Sequence, residues 1–373
     1  MKYKLGECIE EIVDKTTKNN QYEVLSVTKD GIYSQEEFFK KQIASEDNTG
    51  YKIIRKNNLV FSTMNLWMGS LDVLSNYEIG IVSPAYKIFK FDESKMIPSF
   101  GKYFMKSHFM LEQYKDCSEQ GASVVRRNLD LKQLLDTEII IPTVEEQCKI
   151  VKILENIDEI INKYTNLIRN KDQFIKSQFV EMFGNPLNNE KMWKTDRIKN
   201  IAPVKGYKGN FQEKVWLLNL DMIESNSGKI IDYLYVNIND VGSSTCTFNE
   251  ENVLYSKLRP YLNKVVEPEK AGYATTELIP LKPNKEKLNR CFFVHLLRSE
   301  PFVRYISEKV AGTKMPRVST DILKNFEIIL PPIELQSKFE KIVRLIDKQK
   351  FNYINKIKLL NEIINIFLGG KKI

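Results

Sequence analysis

The chain has 373 residues, of which 42% are apolar and 11% aromatic, and a formal net charge of +8 at pH 7. That length suits two or three cores, and that apolar content excludes wholesale disorder. No apolar run approaches the ~20 residues that cross a bilayer, and Met1-Lys-Tyr-Lys-Leu-Gly lacks a signal-peptide core, so a cytoplasmic protein is expected. Cys8, Cys117, Cys148, Cys246 and Cys291 form no close pair and read as free thiols rather than a disulfide framework or zinc knuckle. Divided at residue 185, the charge is −2 for the first part and +10 for the second. A moderate basic excess puts a polyanion partner slightly ahead of a merely soluble surface.

Residues 1–141 read as a mixed α+β globe. Residues 52–62 and 80–91 have the apolar, β-branched and aromatic character of strands between turns, residues 98–120 read as a helix ending at Gly121, and Ser123-Val-Val-Arg126-Arg127-Asn128 reads as a polar, basic loop. A short apolar strand at 138–141 leads to Pro142. Then Ile150, Ile153, Leu154, Ile157, Ile160, Ile161, Tyr164, Leu167, Ile168, Phe174, Ile175, Phe179 and Met182 recur at steps of three and four, the mark of one helix face. Thr143 with Glu146 makes a capping box, and Gly184-Asn185-Pro186 a stop. The rod between them, residues 142–185, has about 40 residues and a length on the order of 60 Å at ~1.5 Å per residue.

The plan then repeats. Residues 186–330 follow the first globe: Asn252-Val-Leu-Tyr-Ser256 parallels Asn58-Leu-Val-Phe-Ser62, Gly272-Tyr-Ala-Thr-Thr276 parallels Gly80-Ile-Val-Ser-Pro84, and Gly312 to Asp321 parallels Gly121 to Asp130, with Arg126 and Arg317 each five residues past the glycine. Pro331-Pro-Ile-Glu-Leu-Gln336 repeats Pro142-Thr-Val-Glu-Glu-Gln147 at an offset of 189, and Asp158 recurs as Asp347. The second rod, residues 331–373, carries the same stripe. The order globe, rod, globe, rod predicts an α+β protein with a pseudo-two-fold internal repeat, in which two similar globes are separated by two long antiparallel helices forming a coiled coil. Its seam is predicted from Ile150, Leu154, Ile157, Ile161, Tyr164, Ile168 and Ile175 against Phe339, Val343, Ile346, Tyr353, Ile357, Leu360 and Ile364.

A catalytic reading finds little to stand on. The sequence has no Gly-x4-Gly-Lys-Ser/Thr or Gly-x-Gly-x-x-Gly loop, and Pro331-Pro332 lies between Leu330 and Ile333, outside the amino-methyltransferase signature. His108 and His295 are the only histidines, each reading as a helix-packing residue, and Glu250-Glu251 reads as a solvated pair at a turn. Recognition remains. Cationic side chains in Gly/Ser/Thr surroundings suit phosphates, and Asn65, Trp67 and Arg259 suit base edges. The DNA-contact candidates are Asn65, Trp67, Arg126, Arg127, Lys205, Lys208, Lys257, Arg259, Lys314 and Arg317. Solvated loop charge is the competing reading for the cations, and local packing for Trp67 and Tyr261.

This arrangement resembles the specificity subunits of type I restriction-modification systems over essentially the whole chain. The residues that carry the resemblance are Ile141-Pro-Thr-Val-Glu-Glu-Gln147 and Leu330-Pro-Pro-Ile-Glu-Leu-Gln336, Gly184-Asn185-Pro186, Leu254-Tyr-Ser-Lys-Leu-Arg-Pro260, and the turns at Gly80 and at Gly272 to Glu277. Thr143 replaces a usual proline, and Leu335 stands where Glu146 does. The resemblance implies two target-recognition domains, each reading half of an asymmetric bipartite double-stranded DNA site, with the helix pair setting the gap and docking two adenine-methyltransferase subunits. It also implies restriction and translocase subunits as partners. S-adenosylmethionine, ATP and Mg2+ would be used by those partners, and no cofactor, metal or catalytic residue is expected in this chain. Two other readings stay open: the recognition subunit of a related system with a fused methyltransferase-nuclease partner, and a coiled-coil scaffold that does not bind DNA.

Overall fold

A computed structural model describes residues 1–29, 31–35, 47–120, 127–312 and 315–368. The chain divides into two compact units, Met1–Tyr164 with the chain from Ile354 onward, and Thr165–Tyr353. The fold is mixed α+β. Its two long helices, Val144–Phe183 and Ile333–Phe367, each contribute one end to each unit.

In the first unit a four-stranded antiparallel sheet runs in the order Ile9–Glu11, Tyr86–Phe91, Leu59–Ser62, Leu71–Val73. Lys52–Arg55 pairs with Ile79–Val82, and Leu25–Thr28 with Gly31–Ser34. The two strand-like runs of the sequence are thus each divided. Asn57, in the left-handed region at φ 70°, turns the chain between Lys52–Arg55 and Leu59–Ser62, which enter different sheets. Residues 83–85 interrupt the other run in the same way.

Two expectations need correction here. Residues 98–120 are not one helix but Pro98–Phe104, His108–Asp116 and the strand Ser118–Gln120. The first helix ends with Met105 as its C-cap, and Ser107, in extended backbone, caps the second, its hydroxyl accepting the Met110 N–H at 3.3 Å, a bond that propensity alone does not reveal. Arg127 and Asn128, expected in a loop, lie in the strand Arg127–Leu129, paired antiparallel with Ser118–Gln120. Residues 121–126 lie outside the described residues.

The second unit repeats most of this plan, with the pairings of Ile9–Glu11 and of Ser118–Gln120 reduced there to the single bridges Val204 to Leu281 and Ala311 to Arg317. Val253–Ser256 lies between Val265–Val266 and Leu278–Leu281, as Leu59–Ser62 lies between Leu71–Val73 and Tyr86–Phe91. Gly272–Thr275 takes the place of Ile79–Val82, pairing antiparallel with Thr245–Phe248 and parallel with Lys214–Leu218. The end strands also correspond: Lys2–Lys4 pairs with Glu138–Ile140, and Lys194–Arg197 with Glu327–Leu330.

The long helices begin and end as their sequence signals require. Thr143 Oγ1 accepts the Glu146 N–H at 3.3 Å, and the Glu146 carboxylate accepts the Thr143 N–H and the Thr143 hydroxyl, each at 2.8 Å, two bonds that hold the Glu146 carboxyl below its usual range. Gly184, at φ 76°, follows the last helical residue. Within each unit the two helices run antiparallel. In the second, the Phe179 and Phe183 rings meet Phe339 at 5.6 and 5.4 Å, and Lys350 reaches Asp172 at 2.5 Å. In the first, Lys356 lies 5.3 Å from the Tyr164 ring centre.

The seam residues are buried unequally. Leu154, Ile157, Ile175, Phe339, Val343 and Ile346 are buried, whereas Ile150, Ile161, Tyr164, Ile168, Tyr353, Ile357, Leu360 and Ile364 are half-buried. Much of this burial is against the globes. Val151 and Leu154 join Phe100, Phe104 and Ile139, while Ile175, Phe179 and Phe339 join Phe292 and Leu296. Ile153, Ile160, Leu167 and Phe174, expected on the same face, are exposed at 40–50%. The apolar stripe is wider than the strip its neighbours cover. No described helix is long and apolar enough to cross a membrane.

Candidate nucleic-acid interface

Each copy builds a loop in the same way. In the first, the strand Leu59–Ser62 runs into a 3-10 turn at Leu66–Met68 that closes on Gly69 at φ 82°. In the second, Val253–Ser256 runs into a turn at Pro260–Leu262 that closes on Asn263 at φ 52°. Left-handed backbone there favours glycine or asparagine, and these are the residues present.

A returning segment lies against each loop. In the first copy the Arg127 N–H donates to the Met64 carbonyl at 3.3 Å, and its guanidinium carbon sits 4.3 Å from the Trp67 ring centre. Trp67 and Arg127 are therefore one cation–π unit, both half-buried. The Arg127 Nε is buried without a hydrogen-bond partner among the described residues. Asn65 precedes the turn, its carbonyl accepting the Met68 N–H at 3.0 Å. Arg126 lies outside the described residues.

In the second copy the Arg259 N–H donates to the Pro316 carbonyl at 2.8 Å, and the Val318 N–H to the Lys257 carbonyl at 3.0 Å. Arg317 and Ala311 exchange both backbone bonds at 2.9 and 3.0 Å. Lys257, Arg259 and Arg317 are thus brought together by main-chain bonds, with Arg259 itself left-handed at φ 48°. Lys205 and Lys208 are placed by different contacts: the Lys205 N–H donates to the Pro280 carbonyl at 2.9 Å, and exposed Lys208 follows Tyr207, whose carbonyl accepts the Thr247 hydroxyl at 2.7 Å. Lys314 lies outside the described residues.

Two features escaped sequence reasoning. Glu277 faces Arg317, and Lys270 sits 4.9, 4.9 and 5.4 Å from the ring centres of Tyr233, Tyr235 and Trp216. The alternation Tyr233-Leu-Tyr235 marks a strand face but says nothing of a lysine 35 residues on.

The histidines differ from one another. His295 is half-buried, edge-on to Phe339 at 5.2 Å, and desolvation there pushes its pKa down to about 3. His108, expected to be packed, is instead half exposed and 3.2 Å from Glu112 one turn on; Met110 and Tyr114 are the buried residues of its helix. The five cysteines are free thiols, with burial pushing Cys8 up to about 11 and Cys291 up to about 12. Among the described residues no group of three or more His, Cys, Asp or Glu side chains could hold a metal ion.

A chain written twice as globe and helix, each copy presenting a cation on equivalent loops, is a duplicated recognition protein. It belongs to the type I restriction-modification DNA specificity family: the model for that specificity domain matches residues 11–171 and again 190–365. Curated relatives include the type I restriction enzyme MjaVIII specificity subunit of Methanocaldococcus jannaschii, 23% identical over 304 residues, or 72% of this chain and 69% of that protein. The Escherichia coli EcoDI specificity subunit is 27% identical over 135 residues, 36% of this chain and 29% of that one. Among solved structures, one described as showing complex assembly and conformational transition of the type I R-M system covers 99% of this chain and 96% of its own, with TM-score 0.58 and 14% identity. At that identity the likeness speaks for the fold.

Proposed function

We propose that this chain supplies the address of a type I restriction-modification complex. Each globe reads one half of an asymmetric bipartite DNA site, the long helices set the gap between halves, and the helices and adjoining faces dock two adenine-methyltransferase subunits, which restriction subunits join. S-adenosylmethionine, ATP and Mg2+ are used by those partners; this chain performs no chemistry and works in the cytoplasm. The observation that carries the reading is that the family's DNA specificity domain occurs twice, on equivalent loops that hold Trp67 with Arg127 in one copy and Lys257, Arg259 and Arg317 in the other. Unlike side chains on a common scaffold suit unlike half-sites.

The test is to purify the chain with its modification subunit and map methylated adenines in host DNA. One split motif with two unlike halves and a fixed gap is expected. No complex and no new methylation would favour a scaffold role. A heptad added to each long helix keeps the apolar seam and adds about 10 Å, so it should lengthen the gap by about three base pairs while leaving both half-site sequences alone.

A further inference from the structure

The side chain of Arg317 is held more closely than a solvated loop cation would be. Its Nε lies 3.2 Å from both carboxylate oxygens of Glu277, and one Nη lies 3.1 Å from Oε1. Glu277 is the less exposed partner, 21% against 46% for Arg317. Both backbones are pinned as well. The Lys257 N–H donates to the Glu277 carbonyl at 3.0 Å, the Lys257 carbonyl accepts the Val318 N–H at 3.0 Å, and Arg317 is doubly bonded to Ala311. The Lys257 main chain therefore stands between the segment that carries the acid and the one that carries the base.

A guanidinium has five N–H donors in one plane. Glu277 engages its side-on edge, Nε and one Nη. The end-on edge, formed by the two Nη groups, is not the one Glu277 engages, and it offers a fork that matches O6 and N7 of guanine in the major groove. The carboxylate also offsets the cation, lowering its value as a phosphate anchor while fixing its orientation. The first copy has no such acid at the corresponding position: Ala85 stands five residues past Gly80, as Glu277 stands five past Gly272.

We infer that Arg317 reads a guanine in the half-site of the second globe, and that Glu277 is the positioning residue that presents its end-on edge to that base. This inference rests on the DNA-specificity reading above and deepens it.

The test uses the full chain in complex with its modification subunit, comparing the wild-type methylated motif with those of Arg317→Lys and Glu277→Gln. Arg317→Lys keeps the charge but loses the fork. It should make one G·C position of one half-site degenerate, lowering discrimination there by about 5- to 150-fold. Glu277→Gln should relax the same position by a smaller factor, with overall DNA affinity unchanged or raised and the thermal midpoint held. An unchanged motif in both variants would overturn the inference. So would Arg317→Ala weakening binding equally at all sequences with the salt slope reduced by about one, the behaviour of a phosphate contact. Failure of the wild-type complex to yield any split motif would instead sink the specificity reading itself.

Discussion

Gln147 in the first copy and Gln336 in the second do the same work with the same atoms. Each is fully buried near the start of its long helix. Gln147 Oε1 accepts the Ile97 N–H at 3.0 Å, and its Nε2 donates to the carbonyls of Lys95 and Pro142 at 2.7 and 3.0 Å. Gln336 Oε1 accepts the Asn289 N–H at 2.8 Å, and its Nε2 donates to Lys287 and Pro331 at 3.0 and 2.7 Å. Three turns further on the copies part. Asp158 accepts the Tyr103 hydroxyl at 2.7 Å, whereas His295, in the place of Tyr103, packs on Phe339, and Asp347, in the place of Asp158, lies 3.4 Å from Lys350. Buried main-chain groups at the junction accept few solutions, so both copies use one side chain. Partly exposed groups along the helix accept many.

The largest expected effect tests the shared half of that comparison. Gln147→Leu and Gln336→Leu each leave three main-chain groups without their partner and should each cost about 2–4 kcal/mol in urea unfolding. Costs differing by much more than about 1 kcal/mol would break the equivalence. Next comes the divergent position. Folded His295 titrates at about 3, below the ~6.5 of an unfolded chain, so between these values the unfolded state binds the extra proton. Stability should therefore fall as pH drops below ~6.5, by on the order of 2 kcal/mol at pH 5. His295→Phe should flatten that part of the profile; an unchanged profile would place the acid sensitivity elsewhere.

Smaller effects sharpen the contrast. The first long helix has a Thr143 and Glu146 capping box, while the second begins after Pro331-Pro332 with Leu335 in the place of Glu146. Thr143→Ala should cost roughly 1 kcal/mol, read as a lower thermal midpoint, with no counterpart in the second copy. Smallest is Lys350→Met, which removes the pairs with Asp172 and Asp347 and should cost about 0.5 kcal/mol, less at high salt. A loss that ignored salt would point to packing of the lysine stem instead.

Much of this plan was legible in the chain. The offset between Gln147 and Gln336, the helix entries at Pro142 and Pro331 and the stop at Gly184 are local signals, because capping, left-handed turns and helical periodicity depend on residues a few positions apart. The repeat itself, and with it the class of protein, follows from sequence alone. The tertiary structure decided the rest. It chose which part of a wide apolar stripe is covered, Leu154 and Phe339 but not Ile160 or Phe174. It also chose that Arg127 meets a tryptophan 60 positions back while Arg317 meets a glutamate 40 positions back. Those partners lie on segments that only the folded sheets bring together, and no periodicity encodes a contact whose two sides are set by separate strands.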